Sequence, residues 1–157
     1  MSHDVKVTGV KITNIEDLRA ALAQLNQRPG FARLDLVEKG TYRAYYESQK
    51  KQCPYIIDIE GCSYNVGLTQ EKDENGNDYY VPIIDTYGDY IRRAVCNQKG
   101  ENKSFYTTPL GPLDVVMQEY SAQAAIRGAQ EKGYMVLDRV LDEKGVLTLI
   151  VDAEVGY

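Results

Sequence analysis

Tyr64–Ile84, YNVGLTQEKDENGNDYYVPII, decides the fold class. Tyr64, Val66 and Leu68 alternate with polar or small neighbours, the period of a half-buried strand. Asn75-Gly76 follows, a dipeptide suited to the positive φ angles of a tight hairpin turn, and Tyr79 to Ile84 resumes the strand pattern. An antiparallel hairpin in mid-chain is therefore expected. N-terminal to it, Leu34, Leu36, Tyr42 to Tyr46 and the apolar run Tyr55 to Ile59 add further strands.

Helical periodicity flanks this sheet on both sides. Val5 to Ile12 reads as a first strand whose apolar register slips at Gly9, as at a bulge. Thr13-Asn14-Ile15-Glu16 then reads as a capping box. Ile15, Leu18, Leu22 and Leu25 share one helical face, and Pro29-Gly30 stops the helix. After a polar stretch from Asn97 to Gly111, expected to be a loop, Pro112 suits the first position of a second helix. Leu113, Val116, Met117, Tyr120 and Ala124 form its stripe, and Gly133 ends it. Met135 to Leu141 and Val146 to Val151 make a closing hairpin over Glu143-Lys144-Gly145. The expectation is one α+β domain over 1–157, mainly antiparallel sheet with two helices, in the order β-α-several β-α-β-β.

Three patches resemble an uncharacterised family of plastid, cyanobacterial and phage reading frames, the Ycf-type proteins. Met1-Ser2-His3 leads into a strand and a capped helix. Tyr64-Asn65-Val66-Gly67-Leu68 is followed by Tyr80-Val81 and Asp85. Tyr120 precedes Gly133-Tyr134-Met135-Val136 and the hairpin turning at Gly145. Together they touch about two thirds of the chain in the right order. The stretch Arg43 to Tyr55 and the loop Arg92 to Pro109 look longer than the family pattern. The resemblance implies an α+β fold and a phage source. It brings no established activity, so no functional residue is carried over.

Composition bounds the chemistry. The chain has 157 residues and a net charge of −5, against binding nucleic acid by bulk charge alone. No apolar run approaches the roughly 18 residues that span a bilayer, and no charged-then-apolar leader opens the chain, so a cytoplasmic protein without membrane attachment is expected. Cys53, Cys62 and Cys96 are odd in number and lack CxxC spacing, which favours unpaired thiols in a reducing compartment. The single His, at position 3, leaves too few soft ligands for zinc and no evident base for a Cys nucleophile. Neither GxxxxGK[ST] nor GxGxxG occurs. Asp58, Glu60 and Asp85 are the best carboxylates for acid–base work or a divalent ion, although alternating carboxylates more often mark a strand's solvent face. No cofactor, no metal and no catalytic residue is expected.

Charge is segregated. Lys39 to Tyr55 carries Lys39, Arg43, Lys50 and Lys51 against Glu47 alone; Ile91 to Lys103 carries Arg92, Arg93, Lys99 and Lys103 against Glu101 alone. The acidic excess falls near the Asn-Gly turn, at Glu71, Asp73, Glu74 and Asp78. Tyr42, Tyr45, Tyr46 and Tyr55 lie in the first stretch, and Tyr90, Phe105 and Tyr106 flank the second, in a chain of 13 Tyr, 2 Phe and no Trp. Cations that follow phosphates beside rings that stack on bases suit a single-stranded nucleic acid. The expected function is non-catalytic single-stranded nucleic-acid binding through Arg43, Tyr45, Tyr46, Lys50, Lys51, Tyr90, Arg92 and Arg93, by a homo-oligomer. The alternative is a protein that sequesters a small anionic ligand such as a nucleotide, or a protein partner. Against both stands the reading of these tyrosines as ordinary half-buried sheet residues.

Overall fold

In the computed structural model, four antiparallel strands run as a meander: β2 (Leu34–Tyr42), β3 (Lys51–Ile59), β4 (Val66–Lys72) and β5 (Asp78–Asp85). A short β1 (Asp4–Lys6) pairs antiparallel with β5, giving the order β1-β5-β4-β3-β2. Helices α1 (Ile15–Leu25), α2 (Tyr90–Cys96) and α3 (Asp114–Glu131) complete the element order with a separate two-stranded sheet, β6 (Met135–Leu141) and β7 (Leu147–Asp152). The structure describes residues 4–7, 11–29, 31–44, 51–86, 90–96, 113–141 and 147–152. The expected α+β class holds, and among the described residues no helix is long and apolar enough to cross a membrane.

The hairpin between β4 and β5 turns where Asn75-Gly76 placed it. Gly76 has φ +80, and the Asp73 carboxylate accepts from the amides of Asn75 (2.8 Å) and Asn77 (2.9 Å). One face of the sheet is covered by α1 and α3. Leu18, Leu22 and Leu25 bury the expected stripe of α1 against Leu34, Ile57 and Leu68, and Val116 and Tyr120 do the same for α3. Two ion pairs fix the layers. Buried Asp17 accepts from Arg127 Nε at 2.9 and 3.0 Å, joining α1 to α3, and buried Glu119 accepts from Arg139 Nη2 at 2.7 and 2.9 Å, joining α3 to β6.

Four boundaries differ from the sequence reading. The cap of α1 is Asn14, which accepts from the Asp17 amide, rather than a box begun at Thr13. The amides of Thr13 and Asn14 instead donate to the Tyr120 hydroxyl, a tertiary contact. The helix also stops at Leu25, ahead of Pro29, because the Asn26 side chain leaves it to pair with the Leu34 backbone at both N–H (2.8 Å) and C=O (2.7 Å). Strand β4 begins at Val66, since Asn65 is occupied otherwise. The fourth difference is α2, a helix inside the second basic stretch. The expected bulge at Gly9, the loop Asn97 to Gly111, Pro112 and the turn at Gly145 lie outside the described residues.

The first hairpin does not stay in the plane of the sheet. Lys39 takes φ +53 close to the point where the ladder reaches Pro54, a residue with no amide to donate. Beyond it the hairpin curls over the face opposite the helices. Tyr42, Cys53 and Ile56 form a second, small core there, with Ala44 and Ile83 packed against it.

Candidate nucleic-acid interface

Ile59 to Val66, the connection between β3 and β4, organises the site. The Cys62 amide donates to the Ile59 carbonyl at 3.1 Å, closing a turn in which Gly61 takes φ +75. On one side of this turn stands α2. Ile91, Ala94 and Val95 are buried, so the helix is held against the core and Tyr90 and Arg93, one turn apart, are left outward. Tyr90 is 45 % exposed; its ring meets Tyr64 edge-on at 5.6 Å, and the Arg93 guanidinium lies 5.1 Å from its centroid. Gly61, Cys62, Ser63, Tyr90, Arg93 and Ala94 surround a cavity of about 390 Å³.

On the other side of the same turn lies the returning end of β2. Asn65, only 1 % exposed, accepts from the Arg43 amide at 2.7 Å and donates to the Thr41 carbonyl at 2.9 Å. The Arg43 side chain then reaches Ser63, whose carbonyl accepts from Nε at 3.0 Å, and Asp58 at 3.4 Å. Ser63 is thus held by the first basic stretch and lines the cavity formed with the second. The two stretches flank one turn.

Not every expected residue joins them. Lys51 sits at the far end of β3, paired with Tyr42. There its charge adds to a field dominated by the Lys6 and Tyr79 hydrogen bonds, which hold the Glu71 carboxyl below its ordinary value. Arg92 is half-buried on α2. Tyr45, Tyr46 and Lys50 lie outside the described residues. Elsewhere the tyrosines serve the fold: Tyr42, Tyr64 and Tyr120 are buried, and Tyr55 packs edge-on against Tyr80 at 5.3 Å, where burial raises the Tyr80 phenol above its usual value. Of the expected stacking residues, Tyr90 alone is both described and exposed.

The carboxylates considered for chemistry are dispersed. Asp58 pairs with Arg43, Glu60 is exposed in the turn, and Asp85 is buried at the end of β5. Among the described residues no three His, Cys, Asp or Glu side chains converge as a metal site. Cys53 and Cys62 are free thiols, and burial pushes the Cys53 thiol up. Sequence reasoning missed Asn65 and Ser63 entirely; the one signal for α2 was the apolar spacing of Ile91, Ala94 and Val95. Comparisons with protein-family models, with curated proteins and with solved structures give no match for the chain.

Proposed function

We propose that the protein binds single-stranded nucleic acid without catalysing a reaction on it, using the surface around Gly61–Ser63. The observation that carries the reading is the exposed Tyr90 ring, backed by Arg93, beside a turn that Arg43 grips from its other side. An exposed ring offers a base a stacking face, and the guanidinium groups bring always-positive charge to the surface where a phosphate would lie. The net charge of −5 does not oppose this, because salt screens the acidic β4–β5 turn beyond roughly 8–10 Å. A second reading, capture of a single nucleotide, is favoured by the cavity volume of about 390 Å³, within the range of small-molecule sites.

Fluorescence anisotropy with a labelled oligonucleotide tests both. Expected are binding that weakens with salt, with a log–log slope of about −0.7 per phosphate neutralised, and a Tyr90→Ala loss of about 1–3 kcal/mol per stacked base. Arg93→Ala should lower the slope by about one phosphate contact. Binding that is absent at low salt, or indifferent to salt, removes the strand reading. Mononucleotides that compete as well as the oligonucleotide would select the second.

A further inference from the structure

Arg43 borders a second cavity, which lies on the sheet face opposite the helices. Val37, Gly40, Thr41, Ile56, Asp58 and Asn65 enclose about 310 Å³ with it. Val37 and Ile56 are cross-strand partners on β2 and β3, and Ile56 belongs to the second core, which fixes the face. Asp58, two residues along β3, points the same way. Val37 is 38 % exposed and gives the cavity an apolar wall. No side chain stands over that wall from Gly40, where a Cβ would lie 2.6 Å from Ile56 Cγ1.

Most polar groups of this cavity are already engaged. The Asn65 carboxamide is bonded at both ends, to the Arg43 amide and the Thr41 carbonyl. The Thr41 hydroxyl accepts from Gln52 Nε2 at 2.6 Å. Arg43 donates from Nε to the Ser63 carbonyl and from Nη1 to Asp58. Asp58 is the exception. Among the described residues it takes that one bond alone, at 3.4 Å, and its side chain is 43 % exposed. A carboxylate accepts and does not donate, and it has about four lone-pair sites.

Nucleobases differ in what they would bring to such an acceptor. Cytosine, adenine and guanine each carry an exocyclic amino group, whereas uracil and thymine present carbonyl oxygens. An oxygen set against Asp58 would leave two acceptors facing each other without a proton between them. We infer that this cavity holds one base of the bound strand, and that Asp58 selects a base with an amino group. The inference rests on the strand-binding reading and deepens it. Continuity supports this occupant: Ser63 lines the cavity beside Tyr90, Arg43 lines this one, and the two residues are bonded at 3.0 Å. The volume stands at the lower end of the roughly 300–1,000 Å³ of small-molecule sites, which suits a single ring system. Asp58 also repels a phosphate, so the base rather than the backbone turns inward.

Oligo(dC) and oligo(dU) of equal length test it, by fluorescence anisotropy on the full chain at neutral pH. Their backbones are identical, and their bases differ at the group that Asp58 would meet. The wild type should bind oligo(dC) at least about fivefold more tightly. Asp58→Asn keeps an oxygen for Arg43 and adds an amide donor that can serve the uracil oxygen, so its ratio should fall to about one. Taking the ratio cancels the change in phosphate attraction that follows loss of a charge. Asp35→Asn removes the carboxylate opposite Asp58 in the ladder but outside the cavity, and its ratio should match the wild type. Equal binding of the two oligonucleotides by the wild type would overturn the inference and leave the strand reading standing. A preference that survives in Asp58→Asn, or is lost as fully in Asp35→Asn, would do the same. A wild type that binds neither oligonucleotide would end both.

Discussion

Gly67 sits in the middle of the sheet, paired with Ile56 on β3 and Ile83 on β5, beneath the curled end of the first hairpin. A Cβ there would lie 3.0 Å from Cys53 Sγ, 3.0 Å from Ile83 Cγ1 and 3.2 Å from Tyr42 Cδ1. Carbon contacts are at their best near 3.5–4.0 Å, so all three neighbours must retreat by several tenths of an ångström. Two of them, Tyr42 and Cys53, are buried, which leaves little room for retreat. Overpacking of this kind costs about 1–3 kcal/mol. The entropy that alanine removes from the unfolded chain returns about 0.4–1 kcal/mol. Gly67→Ala is therefore expected to destabilise by about 1–2 kcal/mol net of these two effects. Gly128→Ala is the control. Nothing lies within 4 Å of its added Cβ on α3, so the helix preference for alanine should stabilise by about 0.8–1.0 kcal/mol. Urea denaturation at unchanged m-value measures both. A Gly67→Ala protein as stable as the wild type would refute the account of the second core.

Two further predictions concern charge. Hydrogen bonds from Lys6 and Tyr79 hold the Glu71 carboxyl below its ordinary value, and those from the Asn77 and Asn75 amides do the same for Asp73. The folded state therefore releases these protons more readily than the unfolded chain. The stability is present above the ordinary carboxylate range and is lost as pH falls through the lowered values, below about pH 4. The double variant Glu71→Gln, Asp73→Asn should flatten that acid limb in a urea-midpoint series, and a limb as steep as the wild type's would contradict the assignment. Arg139→Ala strands the buried Glu119 carboxylate. A fully buried pair broken in this way costs about 3–5 kcal/mol, and water reaching the partly exposed arginine reduces this to about 1–3 kcal/mol. Hydrogen exchange should show β6 and β7 opening faster while β3 and β4 keep their protection; uniform loosening would mean that the pair is not a local tether.

Elements whose signal is local were legible in the sequence. The Asn75-Gly76 turn, the α1 and α3 stripes and the closing hairpin each follow from residues close together in the chain. What escaped reading depends on distant partners. The start of α1 shifted because Tyr120, from α3, takes the Thr13 and Asn14 amides, and its end shifted because Asn26 pairs with the backbone of β2. Positive φ at Lys39 has no sequence signature, and Pro54, at the opposing place in the ladder, drew no reading. Helix α2 is two turns long, so its three apolar residues were too few to outweigh the neighbouring arginines. The site residues were half legible for the same reason: a cation and a ring can be read from the chain, but the buried asparagine that brings Arg43 to Ser63 follows no period.

The candidate site and the second core are consequently one mechanical unit. Asn65 pins the backbone at Thr41 and Arg43, while two residues further on, in β4, Gly67 leaves the space that Tyr42 fills. Lifting Tyr42 must strain the Asn65 bonds, since one residue separates the ring from the pinned amide. Tyr90 and Arg93 are held differently, by Ile91, Ala94 and Val95 in the main core. Gly67→Ala should then withdraw Arg43 while leaving the Tyr90–Arg93 pair in place. On the strand reading, salt dependence falls and stacking survives; on the single-nucleotide reading, affinity changes little, because Tyr90, Arg93 and Ala94 keep their places and only the Ser63 wall loses its Arg43 contact. The same variant that tests the packing thus separates the two functional readings.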